Sequence, residues 1–200
     1  MKIFSKIISY ILHPLLIPTY ILLLFIQLNS VYFTALQPQI AFGIVFINTF
    51  FFPALAIVLM KKLEFIDSFE MPDKQQRIIP LIVAMICYIW AYLSVKKTAF
   101  PIPYTWFVLG AVISLALSFV INVFHKLSLH MVAISGGLIA VMMMFFYAQN
   151  NVQNYFLLAI VLVGIVASAR LYLDAHTPKE INTGFIVGIA GQSLAAFFIG

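Results

Sequence analysis

Seven stretches of this sequence, approximately 5–27, 34–60, 78–95, 103–124, 129–148, 152–172 and 182–199, are apolar almost throughout. A helix needs about 20 such residues to cross the hydrocarbon core of a bilayer, and the backbone inside that core must satisfy its own hydrogen bonds. The runs therefore predict an all-α, polytopic integral membrane bundle of six to seven transmembrane helices. Composition closes the alternatives: 64% of the residues are hydrophobic and 8% charged, against about 25% charged in soluble domains. A water-facing surface cannot be covered from this stock, which excludes a soluble enzyme, a nucleic-acid-binding module and a disordered regulator. The net charge of +5 belongs to the membrane, because the eleven Lys and Arg residues fall mostly at the ends of apolar runs, where basic side chains settle at the headgroups.

Lys2 and Lys6 precede an apolar stretch, 7–26, that is longer than a signal-peptide core and has no small-x-small cleavage site, so it is expected to stay as a span. Pro14 and Pro18 should kink it. Cys87 stands alone inside a run and reads as a small buried apolar residue. The breaks between runs are polar or turn-rich: Asn29-Ser30, the charged stretch 61–77, Lys96-Lys97 with Pro101 and Pro103, His125-Lys126, Gln149-Asn150-Asn151, and 174–180. One membrane domain is expected over 1–200, with N-terminal spans and a charged interfacial loop over 1–69. In that loop Leu63, Ile66 and Phe69 alternate with Glu64, Asp67 and Glu70 at helical spacing, as in a helix lying along the interface or gating a site, with an inert amphipathic linker the simpler reading.

If every run crosses, the stretches 61–77, 125–130 and 170–180 emerge on one face. All six acidic residues lie in the first and third of them, and three of the four histidines in the second and third. Solvation alone does not require such concentration, and a polar site assembled from three loops accounts for it.

The densest cluster is Ser168-Ala169-Arg170, followed by His176-Thr177-Pro178-Lys179-Glu180. Arg170 offers a planar fork of donors that suits a phosphate. His176 and Glu180 stand four apart, so a helix that includes Pro178 in its first turn sets a carboxylate beside the imidazole, fixing its tautomer. An interfacial helix end with a snorkelling Arg and a surface His/Glu pair explains this stretch equally well when it is taken alone. A second cluster tips the balance: Ser128-Leu129-His130 opens the fifth run with a hydroxyl at the cap position and an imidazole in the first turn. In the third, Asp73 and Gln76 have capping-box spacing, which would start a helix at Lys74 and put Lys74 and Arg77 on one face beside free backbone donors. Ordinary flanking charges are the alternative there. Four further residues are singled out: His13 is a candidate because ionisable groups inside a span are costly, while Asn48, Asn122 and Gln192 are expected to hydrogen-bond between helices. Gly184 and Gly188 form a face for close helix packing, and Met142 to Met144 with Phe145 and Phe146 read as lipid-facing or core filler.

With these residues the chain resembles the type 2 phosphatidic acid phosphatases (PAP2), relatives of the bacterial lipid phosphatases and vanadium haloperoxidases. The three motifs of that superfamily read Lys-x6-Arg-Pro, Pro-Ser-Gly-His and Ser-Arg-x5-His-x3-Asp. The third is matched by Arg170-x5-His176-x3-Glu180, with Glu for Asp, Ser168 displaced by one residue and Gly184 following. The second is reduced to Ser128-Leu129-His130, without the glycine. In the first, Arg77 is followed by Ile78-Ile79 before Pro80, and Lys74 is three positions upstream rather than seven. The likeness covers approximately 70–188 as a phosphatase-like core, and the first two runs carry no motif of it.

The resemblance implies a metal-independent hydrolase, with no cofactor, acting on a phosphomonoester or diphosphate of a lipid through a phosphohistidine. His176 would attack phosphorus, Glu180 would orient it, and His130 would protonate the leaving oxygen. Arg170, Arg77, Lys74 and Ser128 would hold the phosphate. No Cys, His and carboxylate residues show metal-ligand spacing. The rival reading is a non-catalytic lipid- or anion-binding protein, or a transporter, whose motifs have decayed. A bacterial inner membrane is the expected location. Nine Lys and Arg lie on the motif face and two opposite, which by the positive-inside rule points to the cytoplasm, whereas bacterial relatives usually face outward.

Overall fold

The computed structural model describes residues 2–28, 36–71, 73–146 and 151–199. The breaks expected at Asn29-Ser30 and at Gln149-Asn150 lie outside the described residues. Nine α-helices carry the described chain, which has no strand: α1 Lys2–Ile11, α2 Ile17–Leu28, α3 Pro38–Phe46, α4 Phe52–Lys62, α5 Ile78–Lys97, α6 Ile102–Phe124, α7 Leu129–Met144, α8 Gln153–Tyr172 and α9 Pro178–Ile199. Taken with the short turns that join them, α1 with α2, α3 with α4, and α5, α6, α8 and α9 make six segments long and apolar enough to cross a bilayer. The chain is an all-α polytopic membrane bundle.

Proline sets most of the boundaries. It occupies an early position of α3 and α6, where its missing N–H has no intrahelical partner to lose. In the first run Pro14 forces His13 to extended geometry (φ −63°, ψ 136°) and divides α1 from α2 with a single 3₁₀ turn, Pro14–Leu16. In the second, a π-helical segment, Ile47–Phe51, joins α3 to α4 just ahead of Pro53. Lys61 and Lys62 end α4, and Lys96 and Lys97 end α5, cations placed at the negative end of the helix dipole.

The fifth run forms a shorter apolar helix that is not among the six long segments. α7 has 16 residues, about 24 Å of rise, which falls short of the hydrocarbon core. It tolerates this because it is sheathed by α2, α6, α8 and α9 rather than by lipid, and nine of its residues are buried. Close approach to α9 depends on the glycine face: a Cβ on Gly184 would strike the Ser128 carbonyl, and one on Gly188 would strike the Val132 carbonyl and the Ser135 hydroxyl. The main core lies between α2, α5, α6 and α7 around Leu22, Phe25, Tyr104 and Met131, and the Tyr104 hydroxyl donates to the Pro18 carbonyl at 3.0 Å. Outward faces stay apolar, as lipid contact requires, with Trp90, Val120, Ile186 and Phe197 all exposed.

Two expectations fail. The stretch 63–70 forms turns and bends rather than an interfacial helix, since Glu64 adopts a left-handed φ of 60° that ends helical propagation. Asn48 bonds within its own helix, to Ile44 O at 2.7 Å, because the carbonyl four residues back lies within reach of a short polar side chain. Asn122 and Gln192 do bridge elements, donating to Lys74 O at 2.8 Å and Phe107 O at 3.2 Å.

Candidate functional site

Three loops are tied together at one end of the bundle by backbone acceptors. Arg77 Nη1 donates to Leu127 O at 3.1 Å, Lys126 Nζ to Ala175 O at 3.0 Å, and the Ser128 N–H to Glu180 O at 3.1 Å. The stretches around 61–77, 125–130 and 170–180 therefore do converge. A cavity of about 630 Å³ opens between them.

The third cluster is built by two adjoining helix ends. α8 stops where Asp174 turns left-handed at φ 52°, with Asp174 N–H on Leu171 O and Ala175 N–H on Arg170 O; aspartate is among the few residues that adopt this conformation readily. α9 starts in a reciprocal capping box: Thr177 Oγ1 accepts the Glu180 N–H and a Glu180 oxygen accepts the Thr177 N–H, both at 3.3 Å. That box fixes the carboxylate so that Glu180 Oε2 lies 2.7 Å from His176 Nδ1. The contact has the length of an ion pair, yet burial and the charges of Arg77, Lys126 and Arg170 hold the imidazole's pKa down to about 3. At neutral pH the ring is thus uncharged, Nδ1–H donates to the carboxylate, and Nε2 carries the lone pair.

Arg77, His130, Arg170 and His176 all line the cavity. Arg170 Nη1 donates to Ser9 Oγ at 3.3 Å, and its buried Nε has no partner. Arg77 is more committed, with Nε on Met71 O at 2.8 Å, Nη1 on Leu127 O and Nη2 on Glu70 O at 3.5 Å. Two of its five N–H donors remain. Burial, with Arg77 and Arg170 alongside, lowers the Lys126 pKa from its ordinary value, against a raising influence from Glu180.

Three sequence-based placements are corrected. Lys74 does not line the cavity; its Nζ donates to Val123 O and Phe124 O at 3.0 and 3.1 Å, because the last carbonyls of α6 lack intrahelical partners. The helix begins at Ile78, after a 3₁₀ turn Gln75–Arg77, and Gln76 bonds Asp67 instead of closing a box with Asp73. Ser128 occupies the cap position of α7 without a side-chain cap bond, and its buried Oγ faces no partner and no cavity. α9 presses on it at Gly184 and takes it out of reach. Glu180 stands behind His176 rather than on the cavity wall.

His13, a candidate from the first run, lines the cavity, as do Phe69 and Glu70 of the stretch that could gate a site. Lys2, Lys6 and Ser9 of the first helix and Met71 of the irregular loop line it too, and these escaped the sequence reading. The site thus spans both the 1–69 and 70–188 portions. Lys2, Lys6, Arg77, Lys126 and Arg170 outnumber Glu70 and Asp174 on the wall, so the cavity attracts anions. From Arg77 the lining descends α5 through Leu81 and Ala84 to Tyr88, about 16 Å at helical rise, facing Phe107, Leu115 and Val132, with Ser114 and Gln192 the polar groups at that depth. A cationic mouth over an apolar chamber suits an amphiphile. Among the described residues no three His, Cys, Asp or Glu side chains meet as metal ligands. Compared with protein-family models, with curated proteins and with solved structures, the chain matches none.

Proposed function

We propose that this chain is a PAP2-like membrane lipid phosphatase that hydrolyses a phosphomonoester or diphosphate of a lipid through a phosphohistidine, in a bacterial inner membrane. The observation that carries the reading is the His176–Glu180 pair at 2.7 Å on the wall of a cationic cavity. A neutral imidazole with Nδ1–H on a carboxylate exposes Nε2 as a nucleophile. In this mechanism Nε2 attacks phosphorus as the P–O bond to the lipid breaks, and Glu180 stabilises the positive charge that grows on the ring. Arg170 and the free donors of Arg77 take the equatorial oxygens, where phosphoryl transfer needs positive charge. His130, whose Nε2–H rests on Ser9 O at 3.1 Å, has the Nδ1 lone pair left to take the proton of a monoanionic phosphate and pass it to the leaving oxygen as the P–O bond breaks. Water then cleaves the N–P bond. The apolar chamber beneath the mouth supports a lipid rather than a water-soluble phosphate.

The test is orthophosphate release from defined lipid phosphates in detergent with EDTA present, for wild type and His176→Ala. The reading expects release by wild type, none by the variant, and a trapped phosphoprotein that is acid-labile and alkali-stable. The rival, a lipid- or anion-binding protein or transporter, is favoured by the withdrawal of Lys74 and Ser128 from the cavity. Bound lipid phosphate without any release would decide for it.

A further inference from the structure

We propose that His13 is a positioning residue for His130, which makes the first membrane run part of the site. Pro14 breaks the helix and turns the His13 ring into the cavity. There His13 Nδ1 accepts the Leu15 N–H at 3.3 Å, so the proton of the neutral ring sits on Nε2. The ring meets His130 edge-on, with centroids 5.6 Å apart and planes at 79°. The α1 ladder ends with the Leu12 N–H on Ile8 O, and the next carbonyl, Ser9 O, accepts His130 Nε2–H at 3.1 Å. One short segment thus sets His130 twice: the Ser9 carbonyl decides which nitrogen bears the proton, and the His13 edge fixes the plane of the ring. The Ser9 hydroxyl also accepts from Arg170, so the segment that orients the acid touches the phosphate-holding cation.

The kinetic consequence rests on the phosphatase reading. A proton donor matters in proportion to the basicity of the leaving oxygen. His13→Ala is expected to lower turnover of an alkyl lipid phosphate about tenfold, a small part of the 10²- to 10⁴-fold typical of general acid catalysis, while leaving p-nitrophenyl phosphate turnover nearly unchanged. His13→Phe restores an aromatic edge and should recover much of the alkyl rate. Equal losses on both substrates, or no recovery with Phe, would overturn the proposal. A second arm needs no activity: in detergent micelles with ¹⁵N-labelled histidine rings, the His130 signals, assigned by their absence in His130→Asn, should report an Nε2–H tautomer in wild type and a mixture in His13→Ala, where a ring no longer held in plane swings off the Ser9 carbonyl. Unchanged His130 signals would overturn the proposal. Failure of the phosphatase reading shows separately, as a wild type that releases no phosphate.

Discussion

Glu180→Gln removes one charge and preserves the shape of the side chain that governs His176. In the native site Glu180 Oε2 accepts two donors, His176 Nδ1–H at 2.7 Å and the Thr177 N–H at 3.3 Å. The amide oxygen of glutamine can take the same place, and Gln is as acceptable as Glu in the capping box, so the fold and α9 should survive. What goes is charge assistance. A hydrogen bond to an ionised partner contributes about 1.5–3 kcal/mol against about 0.5–1.5 between neutral groups, a difference on the order of 1–1.5 kcal/mol. The demand rises in the transition state, where the imidazole becomes cationic. With about 1.4 kcal/mol per factor of ten, kcat should fall about ten- to a hundredfold. Vanadate affinity should hold or tighten, because Arg170 and Arg77 keep their donors and a nearby negative charge has gone. The assay is steady-state phosphate release with vanadate inhibition measured on the same preparation. An unchanged kcat, a loss as complete as that of His176→Ala, or an effect confined to KM would refute the account.

Three other outcomes follow from the geometry. Because the His176 pKa is held to about 3, the nucleophile stays neutral well below the ordinary histidine value of about 6.5; loss of the nucleophile as pH falls belongs near pH 3–4, and a pH–rate profile with His176 titrating near 6.5 would contradict it. The same shift means that the unfolded chain binds that proton first, so His176 contributes stability that is complete above about pH 6.5 and is lost as pH falls toward 3. Gly188→Ala should cost about 1–3 kcal/mol by overpacking α9 against Val132 and Ser135, read as a lower unfolding midpoint in detergent, while Gly164→Ala, where a Cβ meets nothing within 4 Å, serves as the neutral control. Reporter tags at the two ends should lie on opposite sides of the membrane, since Lys2 and Lys6 line the cavity at the polar end and α9 leaves that end for 22 residues; matching signals would show a run that does not cross.

The helices, their order and the shared polar end were legible because each depends on local chemistry. An apolar run must satisfy its backbone internally in lipid, proline and charge mark where it stops, and alternation of crossings assigns loops to faces. The Thr177-Pro178-Lys179-Glu180 start of α9 was readable for the same reason, and it fixes the His176–Glu180 pair within one turn. Long cationic side chains obey a different rule: they go where neighbouring elements leave carbonyls open. Lys74 and Arg77, three residues apart, part company because α6 ends beside one and the 70–71 and 127 carbonyls face the other. Ser128 was lost to the close approach of Gly184. Ser9 and His13 entered the site because Pro14 interrupts a helix that packs beside α7 and α8; the proline is visible in the sequence, whereas the His130 ring and the Arg170 fork that meet the broken helix arrive from 121 and 161 residues away. Local bonding determined the elements, and only their packing decided which side chains share the cavity.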